Sequence, residues 1–346
     1  MKEEFTPKLG EKQGSILILT LWVLTFLTVF TIQVATKVNQ RIALLSHLED
    51  QSQLRLIASS GIKKAIAALR LDYFRGGGQY SAYNKSYRHN NFEKFSSIPI
   101  GNGLSHVSYP YYMSHELPPQ TRFGFIDEES KINLNTVDRI TLRALLELAA
   151  GVNGEQAQGL AESIVDWREI GHTQLQGFNS DDYYAGLLHP YQNKEAPFEL
   201  IDELLLIKGM RYDIYERLIP FVTIYGDGLI NINTASKTVL MALGLESHVA
   251  DKLMQVRWGT DGIEATEDDH VFRNAYDVTS EVQSVVSLEK DEVIQIEFLN
   301  GGGKIKTNSS FYFIESHGKL DGTKRALSVS CVYNVDENMV EYWREK

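Results

Sequence analysis

Four textures of hydrophobic and polar positions follow one another along this chain. From Ser15 to Thr36 there are 22 residues without a charge, apolar almost throughout. At 1.5 Å per residue a helix of that length spans about 33 Å, enough for a bilayer core of about 30 Å. Apolar positions then recur at three- and four-residue spacing, at Leu54, Ile57, Ala58, Gly61, Ile62, Ala65, Ile66 and Leu69, with a polar back. No proline interrupts Ser15 to Asp72, and the spacing predicts one continuous helix ended by Gly76-Gly77-Gly78.

The second texture, Gln79 to Phe125, is rich in Tyr, Asn and Ser, with weak strand signals at His106–Ser114 and Arg122–Ile126. Helical patterns take over at Lys131 and contain an internal repeat. Lys131-Ile132-Asn133-Leu134-Asn135-Thr136 resembles Leu229-Ile230-Asn231-Ile232-Asn233-Thr234. Each copy is followed by an amphipathic segment, then by a second helix ending near Trp167-Arg168 or Arg257-Trp258. The Asn-Thr step of each copy reads as a helix N-cap. After about Glu281 the pattern turns strand-like, at Glu292–Leu299, Ser310–His317 and Ala326–Tyr333. A helical block bracketed by strands predicts an insertion into one α+β domain.

Composition excludes some functions. The net charge is −11, and the first repeat segment, Lys131 to Tyr225, holds 8 Lys and Arg against 14 Asp and Glu, a net −6. That sign opposes nucleic acid, although the repeats look like helix-hairpin-helix or SAM-like units with candidate hairpins at 150–154 and 208–210. Cys331 is the only cysteine and forms no intrachain disulfide. The apolar run exceeds the usual 7–15 residues, roughly, of a signal-peptide core, although Gln33–Asn39 imitates a cleavage site. Lys8 and Lys12 precede the run and Lys37 and Arg41 follow it, so flanking charge does not set its orientation.

Candidate chemistry is sparse. The nine histidines form no His-x-x-x-His pair, and no enzyme constellation stands out. The stretch from Gly259 to Asp269 places five carboxylates within nine residues, with two glycines and two threonines in the same stretch. Such a loop suits a hard cation that takes six to eight oxygen ligands, about the habit of calcium. Asp261, Glu267, Asp268 and Asp269 are the candidate ligands, and the plainer reading is a solvated acidic turn. The spacing is not that of an EF-hand.

A short leader ending in Gly14, an apolar helix and an α+β body together resemble type IV pilins and type II secretion pseudopilins. The stretches Ala58-Ser59-Ser60-Gly61-Ile62, the two Asn-x-Asn-Thr boxes, Ser163-Ile164-Val165-Asp166-Trp167-Arg168, Ala196-Pro197-Phe198-Glu199, Lys208-Gly209-Met210, the acidic loop and Glu341-Tyr342-Trp343-Arg344-Glu345 narrow the resemblance to the K-type minor pseudopilins. The resemblance implies a pilin-like α+β fold, a long N-terminal helix on an antiparallel sheet, with a large inserted α-domain of two SAM-like repeats. It implies a leader at 1–14, a membrane half of the helix at 15–36 and a periplasmic half at 37–72. The pilin-like domain would run over 73–130 and return over 286–346 around an insertion at 131–285, with repeats at 131–225 and 229–285. A prepilin peptidase would cut between Gly14 and Ser15 and methylate Ser15, and calcium would be structural. The minor pseudopilins I and J, and through them H and the major pseudopilin G, would be partners on an inner-membrane secretion platform. Nucleic acid and catalysis are not expected.

One departure carries an implication. Ordinary pilins have Glu as fifth mature residue, which the resemblance implies neutralises the N-terminal ammonium of the subunit above. This chain has Leu19 there. An unpaired charge in an apolar setting costs several kcal/mol, roughly, so such a subunit is expected first in the filament, at its tip. The competing readings are a minor pilin of a type IV pilus and a membrane-anchored DNA-binding protein.

Overall fold

The computed structural model describes residues 13–75, 90–114, 117–169, 180–266 and 268–346. The apolar run and the amphipathic stripe join in one helix, α1 (Gln13–Arg75). Two units divide the chain at Leu54. In the first, α1 presents its apolar side chains outward, Trp22 and Leu19 among them. Thr20, Thr25 and Thr28 each donate a hydroxyl to the carbonyl three residues earlier, and Thr31 and Thr36 to the one four earlier. Every one of these hydroxyls is satisfied inside the helix, which is what a lipid environment requires. By length and composition this helix is able to cross a membrane.

The second unit starts with the amphipathic part of α1 and continues through α2 (Phe92–Phe95) to the strands β1 (Ile98–Ile100), β2 (Gly103–Tyr111), β3 (Gln120–Phe123) and β4 (Ile126–Asp127). A helical block follows. Its first copy comprises β5 (Ile132–Asn133), α3 (Arg139–Ala150), α4 (Gly154–Arg168), α5 (Ser180–Ala185), α6 (Tyr212–Leu218) and β6 (Val222–Thr223). Its second comprises β7 (Ile230–Asn231), α7 (Lys237–Ala242), α8 (Ser247–Arg257), α9 (Val278–Val285), α10 (Lys290–Gly301) and β8 (Ile305–Lys306). The chain ends in β9 (Phe311–Leu320), β10 (Ala326–Asn334) and β11 (Met339–Glu345).

The main sheet has the order β1-β2-β9-β10-β11 and is antiparallel, with β3 on the second half of β2 and β4 on the first residues of β9. Ala58, Ile62, Ala65 and Leu69 of α1 pack on Val107, Ile314, Val329 and Cys331 of this sheet. Cys331 is a buried core thiol whose pKa burial pushes up to about 12. Gly61 lies where α1 leaves no room for a side chain above β2 and β9. A Cβ there would lie 2.2 Å from the Ser316 hydroxyl and 2.3 Å from that of Ser105, which hydrogen-bond each other across β2 and β9 at 2.8 Å.

Three expectations from sequence need correction. Glu292–Leu299 is not a strand but part of α10. Its alternation is overridden by a capping box, in which Glu292 reaches back to the Glu289 amide at 2.6 Å, and by the three-residue spacing of buried Ile296 and Leu299. The inserted block therefore closes at β8 rather than at residue 285. The helix N-caps are not the Asn-Thr steps but Asp138, which accepts the Thr141 amide at 2.8 Å, and Ser236, which accepts that of Val239 at 3.3 Å. The triglycine expected to end α1 lies outside the described residues, and α1 itself runs to Arg75.

Gly61→Val tests the close approach. Overpacking of this kind costs about 1–3 kcal/mol, so the full chain in detergent should melt several degrees lower, whereas Ser59→Val on the same helix should have little effect.

Candidate functional site

The chain leaves the sheet at Asp127 and returns at Phe311, beside its point of departure: Ile126 pairs with Phe313 and Asp127 with Tyr312. At that point three consecutive carboxylates, Asp127, Glu128 and Glu129, are all buried. Each holds a different part of the inserted block. Asp127 accepts hydrogen bonds from the Asn231 amide at 2.9 Å, the Thr234 hydroxyl at 2.6 Å and the Ser309 hydroxyl at 2.7 Å. Burial pushes its carboxyl above the ordinary range, against those three hydrogen bonds. Glu128 accepts from Thr223 of β6 at 2.6 Å and pairs with Lys131 at 2.6 Å. Glu129 pairs with Lys306 of β8 at 2.5 Å and accepts the Ser310 amide at 2.5 Å. Burial raises the Glu129 carboxyl too, opposed by the Lys306 ammonium.

The repeated boxes are structural clamps. Asn135 accepts the Phe198 amide at 2.7 Å and donates to the Phe198 carbonyl at 3.1 Å. Asn233 does the same to Phe272, at 2.8 and 2.9 Å. In each copy the preceding Asn accepts from the clamp residue's own amide, Asn133 at 2.8 Å and Asn231 at 3.1 Å. The tryptophan–arginine pairs also correspond. Arg168 donates to the Val137 carbonyl at 2.7 Å and Arg257 to that of Ala235 at 2.6 Å, equivalent positions in the two copies. Sequence reading identified the Asn boxes but not their targets, since Phe198 and Phe272 sit in segments of unlike length and composition. Both are nonetheless buried apolar residues.

The candidate cation loop is held by its own acids. Asp268 accepts from the Thr260 amide and hydroxyl, both at 2.7 Å, and from the Asp261 amide at 3.1 Å. The Thr260 and Thr266 hydroxyls hold the Asp268 carboxyl well below the ordinary range. Asp269 accepts the Ala265 amide at 2.8 Å, and Asp261 that of Ile263 at 2.7 Å. Ala265 has φ 71°, a left-handed conformation uncommon for a residue with a Cβ. The donor chemistry fits calcium. Among the described residues, however, no three His, Cys, Asp or Glu side chains converge as ligands, and Glu267 lies outside them. Glu264, the fifth acid, turns the other way. It meets Arg122 of β3 at 3.0 Å and Arg257 of α8 at 3.1 Å, all three side chains nearly buried, and accepts from Tyr111 at 2.8 Å. That ties the loop to the sheet.

Gly14 and Ser15 lie in the first turn of α1, and Leu19 is exposed on it; residues 1–12 lie outside the described part. A cavity of about 710 Å³ separates the sheet face opposite α1 from the helical block, with Phe313, Glu315 and Tyr342 on one wall and Tyr212 and Tyr215 on the other.

A long apolar N-terminal helix whose second part packs on an antiparallel sheet defines a pilin-like α+β subunit, here with a helical block let into the sheet. Residues 128–227 match the family described as type II secretion system (T2SS), protein K. The chain is 28% identical over 160 residues to type II secretion system protein K of Pseudomonas aeruginosa, covering 43% of this chain and 47% of that one. It is 31% identical over 120 residues to that of Aeromonas hydrophila, covering 33% and 36%. The chain thus spans less than half the length of the curated relatives it matches. Its fold resembles that of a chain in the crystal structure of the GspK-GspI-GspJ complex from the enterotoxigenic Escherichia coli type 2 secretion system. The TM-score is 0.59 at 16% identity, over 87% of this chain and 99% of that one. Over residues 128–227 the chain is thus similar to the type II secretion system protein K family.

Asp127→Ala would leave four donors without their acceptor, the Asn231, Thr234 and Ser309 side chains and the Glu129 amide, at about 1–3 kcal/mol each. Urea unfolding of the full chain should therefore show a loss of about 3 kcal/mol or more, and Asp127→Asn a smaller one.

Proposed function

We propose that this chain is a minor pseudopilin of a type II secretion system that initiates and caps the tip of the pseudopilus. Its role is structural rather than catalytic. The observation that carries the reading is α1: a charge-free anchor, without the carboxylate that ordinary pilins place at the position of Leu19, continuing into a helix that packs on the sheet. A subunit lacking that acid has nothing to offer an ammonium above it, so it is favoured at the first position only. The inserted block supports the same place, since a body of that bulk fits once at an end more readily than in every layer of a filament. On this reading a prepilin peptidase cuts after Gly14 and methylates Ser15. The soluble part faces the periplasm from a single inner-membrane span, on the secretion platform. The minor pseudopilins I and J are direct partners, the first two beneath it, with H and the major pseudopilin G below. Support for I and J is the resemblance to a chain of a complex that contains such proteins in Escherichia coli.

In a secretion-competent strain, Leu19→Glu should lower pseudopilus initiation and exoprotein release severalfold without lowering the level of the subunit. Unchanged initiation would argue against the tip position. Mass spectrometry of the mature N-terminus should find methyl-Ser15. A type IV pilus role would instead show as rescue of a pilus assembly strain rather than a secretion strain.

We further propose that Asp261, Asp268 and Asp269, exchanging their loop hydrogen bonds for the ion, take up calcium together with Glu267. What supports this is the all-oxygen donor set on one short loop. Millimolar calcium should raise the melting temperature of the full chain in detergent, and Asp268→Ala with Asp269→Ala should abolish the rise. No shift in the native chain would remove calcium from the account.

A further inference from the structure

No spacing in the sequence pairs any two of the nine histidines, yet the sheet does. β2 and β9 are antiparallel neighbours, and their register sets His106 directly opposite His317. One residue earlier on each strand, Ser105 and Ser316 hydrogen-bond beneath Gly61 of α1. Side chains alternate along a strand, so the two histidines stand on the other face, away from α1. Both are half-buried, and their rings stack with centroids 4.8 Å apart and planes 24° from parallel.

Among the described residues neither imidazole has a hydrogen-bond partner in the protein. Burial, with His317 as a second cause, lowers the pKa of His106. The side chains flanking His317 on its face of β9 are Glu315 and Lys319, whose charges offset one another. Ser328 of β10 stands opposite His317 on the other side, and Leu104 precedes His106 on its face of β2. The donors of the pair are two imidazoles, ligands preferred by zinc, copper and nickel rather than calcium.

We propose that His106 and His317 form a two-imidazole site for a divalent transition-metal cation. Residues directly opposed in an antiparallel pair have Cβ atoms about 4.5–5.5 Å apart, so both rings reach one ion without movement of the backbone. Bonds of about 2.0–2.1 Å to zinc need only that the rings tilt out of their stack to bring two nitrogens together. The backbone is well fixed, because β9 is hydrogen-bonded on both sides, to β2 and to β10. No third protein ligand converges on the pair among the described residues, so water fills the remaining positions. Such an open site can exchange a water for a donor on another molecule. Glu315, the next side chain on this face of β9, already lines the cavity between sheet and helical block. The site is separate from the acidic loop and does not depend on the tip reading.

The alternative is an aromatic cross-strand pair that binds nothing, and the test separates the two. The full chain in detergent is titrated with copper(II) alone and followed by electron paramagnetic resonance, and with zinc alone and followed by melting. The native chain should show a bound copper spectrum with coupling to two nitrogens, and a melting temperature that rises with zinc. His106→Asn with His317→Asn should lose both. His106→Tyr with His317→Tyr keeps a stacked aromatic pair and removes the donors. It should melt like the metal-free native chain and also lose both responses, which decides the matter even if the Asn pair folds poorly. A copper signal of the same form and strength in the Tyr pair, or a native chain with no two-nitrogen signal and no zinc shift, would overturn the proposal.

Discussion

Everything in the second unit depends on how three adjacent carboxylates are partnered in the protein interior. An unpartnered buried charge costs several kcal/mol, roughly, so Asp127, Glu128 and Glu129 would wreck the fold anywhere their donors were missing. Each is matched to a different return strand or box of the inserted block: Asp127 to the second Asn-Thr box, Glu128 to β6 and Glu129 to β8. The helical block cannot sit on the sheet in another register without leaving at least one of them unpaired. Apolar packing supplies most of the attraction, and these polar contacts supply uniqueness.

The two halves of the block share a plan and not a set of lengths. In both, an Ile-Asn strand starts the copy, a second Asn clamps a phenylalanine backbone, an arginine from the second helix seals the turn, and a short parallel strand closes it. What differs is the stretch between clamp and closing strand. The asymmetry is greatest at the joint, where Asn133 donates to the Tyr225 and Gly226 carbonyls while its counterpart Asn231 donates to Asp127. One copy thus closes on itself and the other on the sheet.

Much of this was legible from residues alone. The charge-free run, the amphipathic stripe, the repeated boxes and the strands at Ser310–His317 and Ala326–Tyr333 all follow local periodicity, which tertiary packing here reinforces. The failures have physical causes. Glu292–Leu299 alternates like a strand over a few residues, but a capping box and the burial of Ile296 and Leu299 make it a helix. β11 has mostly exposed side chains and no clean alternation, so only its pairing with β10 defines it. The roles of Asp127–Glu129 and of Glu264 were out of reach, because a carboxylate's partner across a fold leaves no mark on its neighbours in sequence. The same applies to His106 and His317, which local spacing treats as unrelated.

The adjacency of β4 and β9 has a bearing on how such a protein arises. The block leaves and re-enters at neighbouring strands, which in a sheet lie about 4.8 Å apart. The register of β2, β9 and β10 runs on without a break beside it. Lengthening a loop between fixed ends costs only about 0.6 kcal/mol per doubling. A simple hairpin could have been extended there by stages, with the parent sheet intact throughout, and the two unequal copies are what a duplication inside such an extension would leave.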